Sequence, residues 1–171
     1  MALNLSNQLF GTSIFEPTRE DGDIDRWEGS RYFPSADAIN TAPITMFWAC
    51  SGINFVPINP DINDVAYNGA IGDITTTGAA IQLVANVNLP RGCKIINAIV
   101  LGNTSTESFG ILEVNLDGTI GTALAGTTIN STATVAGGGH IADTENKAYI
   151  IYTNELDAGD KIYGAKIGYQ I

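Results

Sequence analysis

The chain is poor in basic residues and in histidine. Its 8 Lys and Arg face 18 Asp and Glu, which gives a formal net charge of −10, and it has one histidine, His140. Protein binding to nucleic acid depends on Lys and Arg that neutralise phosphates. Because the basic residues form no cluster, we expect neither nucleic acid nor an anionic membrane surface as a partner. One histidine also excludes a histidine-based metal cluster.

Long apolar runs and catalytic motifs are absent too. No window approaches the roughly 18 consecutive apolar residues of a transmembrane helix, and the first residues lack the basic and apolar regions of a signal peptide. No nucleophile elbow, phosphate loop or zinc-ligand spacing occurs. These absences predict a protein that is assembled in a cytoplasm, is not an enzyme and uses no cofactor.

Cysteine is scarce, and neither Cys50 nor Cys93 belongs to a Cys-x-x-Cys pair. The simplest interpretation is two small buried apolar residues. A disulfide between them stays open as an alternative if the protein meets an oxidising medium. A nucleophilic cysteine is the least favoured interpretation, because His140 would have to serve as its base.

The second half of the chain shows instead a strong period of two. Ile81, Leu83, Ala85, Val87 and Leu89 alternate with polar residues, and the last residues, 163–171, alternate similarly. This spacing is typical of half-buried antiparallel strands. We predict strands near 46–56, 79–89, 94–102, 108–116, 121–134, 147–153 and 161–171. Together with a hairpin signal at Asp117-Gly118, they indicate an all-β fold for 48–171, an antiparallel jelly-roll-like β-sandwich.

Residues 1–47 differ, because they show no sustained period and are interrupted by three prolines. They nevertheless carry large aromatic residues, which include Phe15, Trp27, Tyr32 and Phe33. Such side chains need to be covered. Two interpretations follow: the segment packs on its own domain as loops, or it is an extended, irregular arm that contacts neighbouring subunits through these four aromatics. We favour the arm.

Three segments resemble a family. They are Ser51-Gly52-Ile53-Asn54-Phe55-Val56-Pro57, Asn86-Val87-Asn88-Leu89-Pro90-Arg91-Gly92-Cys93-Lys94-Ile95, and the stretch from Ala158 to Tyr169. In this order they resemble a class of small β-sandwich proteins that includes uncharacterised environmental bacterial proteins and phage structural proteins. Cys93 stands where that class usually has Ala. The resemblance implies a jelly-roll-like sandwich and suggests a role in a virion, and it carries over no catalytic residue.

Few residues suggest chemistry. Asp21, Asp23 and Asp25 alternate as in a calcium loop, but Arg26 and Tyr32 stand where an EF-hand needs Gly and Glu. A solvated acidic turn, or an acidic patch for a partner, is therefore favoured over a calcium site of another kind.

The remaining candidates lie in the predicted sandwich. Glu113 with Glu107 or Asp117 could form a glycosidase pair, although acids at strand ends are common. His140 follows three glycines and is expected to be an exposed loop residue. Four tyrosines could line a sugar-binding face or belong to the core and its rim: Tyr149, Tyr152, Tyr163 and Tyr169.

Two functions fit these observations. The first is a capsid decoration protein of a bacteriophage, a homotrimer located on the virion, with the major capsid protein or another virion protein as its partner. The second is the receptor- or carbohydrate-binding head of a tail fibre. A major shell protein fits less well, because the chain lacks a basic face for packaged nucleic acid, and an enzyme fits least.

Overall fold

The computed structural model describes residues 43–59, 61, 63–119 and 121–171, together with two strands at 25–28 and 31–34. The chain divides into two units, Met1–Ala42 and Pro43–Ile171. In the first unit, β1 (Asp25–Glu28) and β2 (Arg31–Pro34) pair antiparallel, with Trp27 opposite Tyr32 in the register. We predicted residues 1–47 to be an irregular arm. Within its first 42 residues, the structure describes this pair of strands.

The described residues of the second unit form twelve strands. They are β3 (Thr45–Ser51), β4 (Val56–Pro57), β5 (Val65–Asn68), β6 (Asp73–Thr76), β7 (Leu83–Val87), β8 (Lys94–Gly102), β9 (Ser108–Asn115), β10 (Thr122–Thr128), β11 (Ala133–Thr134), β12 (His140–Ile141), β13 (Lys147–Thr153) and β14 (Lys161–Gln170). Because β3 begins at Thr45, three of its residues precede the predicted boundary at 47/48. The described helical structure consists of short 3-10 turns at Gly52–Asn54 and Ala136–Gly138, and none of it could span a membrane.

These strands form two antiparallel sheets. The five-stranded sheet has the order β10-β9-β13-β7-β4. The seven-stranded sheet has the order β11-β8-β14-β6-β5, with β12 added on β8 and β3 on β14. The predicted antiparallel β-sandwich is therefore confirmed, and the core lies between the sheets.

The alternation predicted from the sequence is realised in the segment that contains β7. The apolar residues at odd-numbered positions from Ile81 to Leu89 are buried, whereas Gln82, Asn86 and Asn88 are exposed. Burying a large aliphatic side chain contributes about 1.5–3 kcal/mol, so this one-sided pattern selects the register of the strand. A slip of one residue would expose the whole apolar set.

Strand β14 departs from simple alternation. Ile162 and Ala165 are both buried although they are an odd number of residues apart. The register against β8 shifts between Ile162 and Gly164, and the extra residue of such a β-bulge changes which face the next side chain takes. Tyr163, which shares the period-two positions of Ala165 and Ile167 in the sequence, is consequently exposed.

The predicted strand at 121–134 is two strands in different sheets. Asn130, between β10 and β11, has a φ of 67°, a left-handed conformation that asparagine tolerates better than most residues. Its side-chain amide donates to the carbonyl oxygens of Gly102 (3.1 Å) and Thr104 (2.8 Å). Asn130 thus fixes the crossing of the chain from one sheet to the other.

Candidate functional site

A buried polar cluster joins the two sheets at one end of the sandwich. Glu113 on β9 is 8% exposed, and its Oε2 lies 2.7 Å from Nε2 of His140 on β12. The hydroxyl of Tyr149, on β13, donates to the same Oε2 at 3.0 Å. Because a carboxylate only accepts hydrogen bonds, we assign the proton between His140 and Glu113 to Nε2. The carboxylate is thereby partnered from both sheets.

Strand alternation places these groups together. Glu113 follows Phe109 and Ile111 at intervals of two, and both of those side chains are buried. Its cross-strand neighbour in the register is Tyr149, which is also buried. A charged or polar group in this position is costly unless it is hydrogen-bonded. The cluster satisfies that requirement with its own side chains.

His140 reaches the cluster because the chain turns sharply before it. Gly139 has a φ of 121°, and a Cβ at that position would lie 2.7 Å from the carbonyl oxygen of Ile95. Only glycine fits such a close approach. Strand β12 then pairs with β8, with His140 opposite Ile95. The side chain of His140 is 30% exposed, so the prediction of an exposed loop histidine is wrong.

Burial and the neighbouring carboxylate govern the chemistry of Tyr149. The pKa of Tyr149 is raised to about 12, and burial is the largest cause. The hydrogen bond to Glu113 and the negative charge of Glu113 add to the increase. The backbone N–H of Asp143 donates to the Tyr149 hydroxyl at 2.9 Å and opposes that increase. Tyr149 therefore stays neutral at physiological pH and acts as a hydrogen-bond donor rather than as a base.

Lys147 extends the cluster to the surface. Its Nζ lies 3.8 Å from Oε1 of Glu113 and donates a hydrogen bond to the side chain of Asn115. Lys147 also borders two open clefts, on either side of the turn between β12 and β13. The cluster thus shares Lys147 with both clefts and Tyr149 with the first one.

The first cleft, of about 440 Å³, is lined largely by hydrogen-bonding groups. Its polar lining residues are Asn86, Asn88, Thr144, Lys147 and Tyr149. Asn86 and Asn88 are two residues apart on the exposed face, so their amides point to the same side. The second cleft, of about 390 Å³, is lined by Asn115, Asp117, Asn146 and neighbouring residues.

The turns around the clefts are held by their own acidic residues. Asp117 accepts hydrogen bonds from the hydroxyl (2.7 Å) and the backbone N–H (2.9 Å) of Thr119, and these bonds lower its pKa. Asp143 accepts from the Asn146 amide at 2.9 Å, which is the main cause of its lowered pKa. Both carboxyls therefore act as turn-forming acceptors.

Each acid of the suggested glycosidase pairs has hydrogen-bond partners of its own. Glu113 contacts His140, Tyr149 and Lys147, whereas Asp117 is bonded to Thr119 and Glu107 accepts from Thr106 at 3.3 Å. The inward position of Glu113 in β9 was visible in the sequence as the period-two spacing from Phe109. The contact of Glu113 with His140 was not visible in the sequence, because His140 lies in the other sheet.

The four tyrosines do not share a face. Tyr149 and Tyr169 are buried, and Tyr163, at 47% exposure, belongs to the seven-stranded sheet. Tyr152 is on the outer side of the five-stranded sheet, where a Cβ on Gly110 would lie 2.7–2.9 Å from its ring carbons and hydroxyl. A sugar-binding face built from all four is therefore excluded.

The cysteines are both free; Cys93 is buried and Cys50 is half-buried. Burial raises the pKa of each thiol, which disfavours the nucleophilic thiolate. They therefore fit the interpretation of small apolar residues, and they form no disulfide in this structure.

Some of the sequence predictions lie outside the described residues. Phe15, Asp21 and Asp23 are among them. Trp27 is in β1 and Tyr32 and Phe33 are in β2, but their side chains are not described, and Asp25 is the first residue of β1. Their roles as interface residues or calcium ligands stay predictions. In the described part of the chain, no three His, Cys, Asp or Glu side chains group as metal ligands.

Comparison with known proteins gives a likeness of fold. No protein-family model matches the chain, and no curated protein matches it. Among solved structures it is similar to the C-terminal CBM6 of LamC, a marine laminarinase from Zobellia galactanivorans, with a TM-score of 0.43 and 12% identity over 71% of this chain and 98% of that one.

Two larger proteins show a lower similarity. One is a family two carbohydrate esterase from Cellvibrio japonicus, with a TM-score of 0.35 and 8% identity over 75% of this chain and 34% of the esterase. The other is the Podospora anserina GH26-CBM35 β-(1,4)-mannanase, with a TM-score of 0.32 and 14% identity over 73% and 27%. The chain thus spans about a third or less of these two proteins. Such values describe architecture and carry no functional argument.

Proposed function

We propose that the β-sandwich is a non-enzymatic carbohydrate-binding domain and that the first cleft is its binding site. The observation that supports this proposal is the lining of that cleft: the neighbouring amides of Asn86 and Asn88, with Thr144 and Lys147, around an open space of about 440 Å³. Amides both donate and accept hydrogen bonds. They therefore match sugar hydroxyls, which do the same.

The buried polar cluster supports recognition rather than catalysis. The hydroxyl of Tyr149 is occupied by Glu113 and by the backbone N–H of Asp143. Glu113 is held by His140 and Tyr149 within the interior. These bonds fix the rotamer of Tyr149, which lines the cleft, and such preorganisation lowers the entropic cost of binding. Because the chain carries a net charge of −10, we expect a neutral ligand.

The test is affinity gel electrophoresis with a panel of soluble neutral polysaccharides: β-glucan, mannan and xylan. We expect retardation by at least one of them. Asn86→Ala or Asn88→Ala should weaken binding by roughly tenfold, the effect of losing about one well-made hydrogen bond. Gln82→Ala is the matched control, since Gln82 is an exposed amide before the same strand and outside the cleft.

Two results would contradict the proposal. One is an absence of retardation by every polysaccharide in the panel. The other is an equal effect of the cleft variants and of Gln82→Ala. Reducing-end assays on the same polysaccharides test the non-enzymatic part, and we expect no turnover by the wild type or by Glu113→Gln.

The fibre-head hypothesis is a special case of this proposal. In that case the ligand is a glycan on the host surface, and the protein belongs to a virion. The motif resemblance is its support. Copy number separates it from a decoration protein, because fibre heads are present in far fewer copies per particle. Densitometry of a purified particle would measure that number.

The decoration hypothesis requires a protein-docking surface, and one observation favours it. At the edge of the seven-stranded sheet, Ile44, Met46 and Phe47 are exposed, with Phe47 at 54%. Lys166 Nζ stacks 3.8 Å from the Phe47 ring centroid. An exposed apolar edge strand is a site for association. We propose self-association through this edge into the expected homotrimer.

Light scattering on the full chain tests this second candidate. We expect a trimer that Phe47→Ser weakens. Leu116→Ser is the control, because Leu116 is an exposed apolar residue at a turn on the five-stranded sheet. A monomeric wild type, or equal effects of the two variants, would exclude self-association through this edge.

A further inference from the structure

Asp73, at the start of β6, is a buried carboxyl group without a partner. It is 1% exposed, and neither of its side-chain oxygens makes a hydrogen bond. These two atoms are the buried side-chain polar atoms without a partner in the described residues. The ion pairs described between residues of the sandwich do not involve it either.

A buried, ionised carboxyl group without a partner is energetically unfavourable. Transfer of an ionised carboxylate into the protein interior is expensive, and buried charges in native proteins are paired or coordinate metals. A buried polar group without a hydrogen-bond partner in a native structure requires an explanation, and a bound ion is one such explanation. The ionised form of Asp73 therefore needs a positive partner, and the described residues supply none.

A backbone turn lies beside Asp73. The 3-10 turn Gly52–Asn54 packs directly against it, since a Cβ on Gly52 would lie 3.0 Å from the Asp73 Cα and 3.0 Å from the Gly72 carbonyl oxygen. The Gly72 oxygen accepts from the Ile53 N–H at 3.1 Å, which leaves it a second lone pair. Only glycine permits this approach of the turn to β6.

Two side chains at the same turn add neutral oxygens. The Ser51 hydroxyl donates to the Asn54 Oδ1 at 3.0 Å, so both oxygens are held at the two ends of the turn. Hydroxyl, amide and carbonyl oxygens complete calcium sites, in which a carboxylate supplies the charge. The turn and Asp73 thus offer these types of ligand on two segments of the chain that pack together.

We propose that Asp73 and the Ser51–Asn54 turn bind a calcium ion. Calcium is favoured over magnesium because Mg²⁺ usually keeps several waters, and a carboxylate that is 1% exposed leaves little room for them. Affinity falls when few ligands are charged, so one carboxylate predicts a dissociation constant of about 10⁻⁴–10⁻³ M, as in extracellular calcium modules.

Thermal unfolding of the full chain in EDTA, Ca²⁺ and Mg²⁺ tests the site. At about 10 mM Ca²⁺, roughly 10–100 times the expected dissociation constant, the melting temperature of the wild type should rise by roughly 3–8 °C. Mg²⁺ should raise it less. Asp73→Asn should abolish the calcium response, and Asn54→Ala should reduce it without a change of charge.

Asp64→Asn is the matched control, because Asp64 is exposed and precedes the same β5–β6 hairpin. It should keep the full calcium response. Titration calorimetry on the wild type with CaCl₂ should show one saturable site, a readout that does not require the Asp73 variant to fold. The proposal is overturned if the wild type binds no calcium, or if Asp73→Asn binds it as the wild type does, which would place the ion elsewhere in the chain.

Discussion

Glu113 and Asp73 are two buried carboxyl groups that the same fold treats in opposite ways. Glu113 accepts from Tyr149 at 3.0 Å and lies 2.7 Å from His140. Asp73 is more deeply buried and accepts no hydrogen bond. One carboxyl is thus held by side chains of its own sandwich, and the other is left for a ligand. The difference shows that burial alone does not reveal whether an acidic residue stabilises a fold or serves a bound ion.

The difference arises from position in the sheets. Glu113 sits in the third residue from the end of β9, beside a long neighbouring strand and opposite β12 of the other sheet. Asp73 begins a four-residue strand, and a 3-10 turn covers it with backbone. Side chains with N–H and O–H groups lie at hydrogen-bond distance from Glu113, whereas no such donor reaches the carboxyl oxygens of Asp73.

The largest effect is expected from removing the aromatic ring that covers Glu113. Tyr149→Ala deletes a buried ring and a hydrogen bond together, and it should lower the free energy of unfolding by about 3–5 kcal/mol. Urea denaturation would measure it. Tyr163→Ala is the control, since that ring is 47% exposed, and its effect should stay below about 1 kcal/mol. Similar losses in the two variants would contradict the assignment of Tyr149 to the core.

The comparison is sharpened by neutralising each acid in calcium-free buffer. Glu113→Gln disturbs the bonds to His140 and Tyr149 and should cost about 1–3 kcal/mol of stability. Asp73→Asn removes a charge that has no partner, so it should not lower stability in EDTA. Equilibrium unfolding of both variants shows whether each substitution raises or lowers the free energy of unfolding. A loss in both would show that Asp73 has a stabilising partner within the folded chain.

The smallest effect concerns alkaline pH. The pKa of Tyr149 is raised from 10.0 to about 12 in the folded state. Between these values the unfolded chain releases the Tyr149 proton while the folded chain keeps it, so stability should fall as the pH rises from about 10 to 12. Melting temperatures of the wild type and of Tyr149→Phe over this range would isolate the contribution. Parallel curves for the two proteins would exclude it.

Much of the fold could be predicted from alternation and turn residues. Strands β8 and β13 have the predicted bounds, 94–102 and 147–153, and the Asp117-Gly118 turn joins β9 and β10. Strands β5 and β6 were not predicted, because their four-residue segments show too little alternation. They exist because β6 pairs with β14, which supplies the ladder that their own sequence does not specify.

The candidate site was less accessible to sequence reasoning. Asn86 and Asn88 could be placed on one exposed face from their spacing, and that placement is confirmed. The contact between Glu113 and His140 could not be predicted, because it joins residues 27 positions apart in different sheets. Three glycines before His140 suggested an exposed loop tip, whereas they allow the chain to turn back onto β8.

The sequence by itself determined which residues of β7 face the core, because a period of two follows from the covalent geometry of an extended chain. It also determined that the protein is acidic and poor in histidine, whereas the bulge that exposes Tyr163 in β14 was not encoded in the alternation. Only the tertiary structure decided which buried polar groups meet. Cross-sheet contacts depend on how the two sheets stack and on where each loop ends. No local pattern encodes those distances. The contact between His140 and Glu113, and the lack of a hydrogen-bond partner for Asp73, are therefore decided by the tertiary structure.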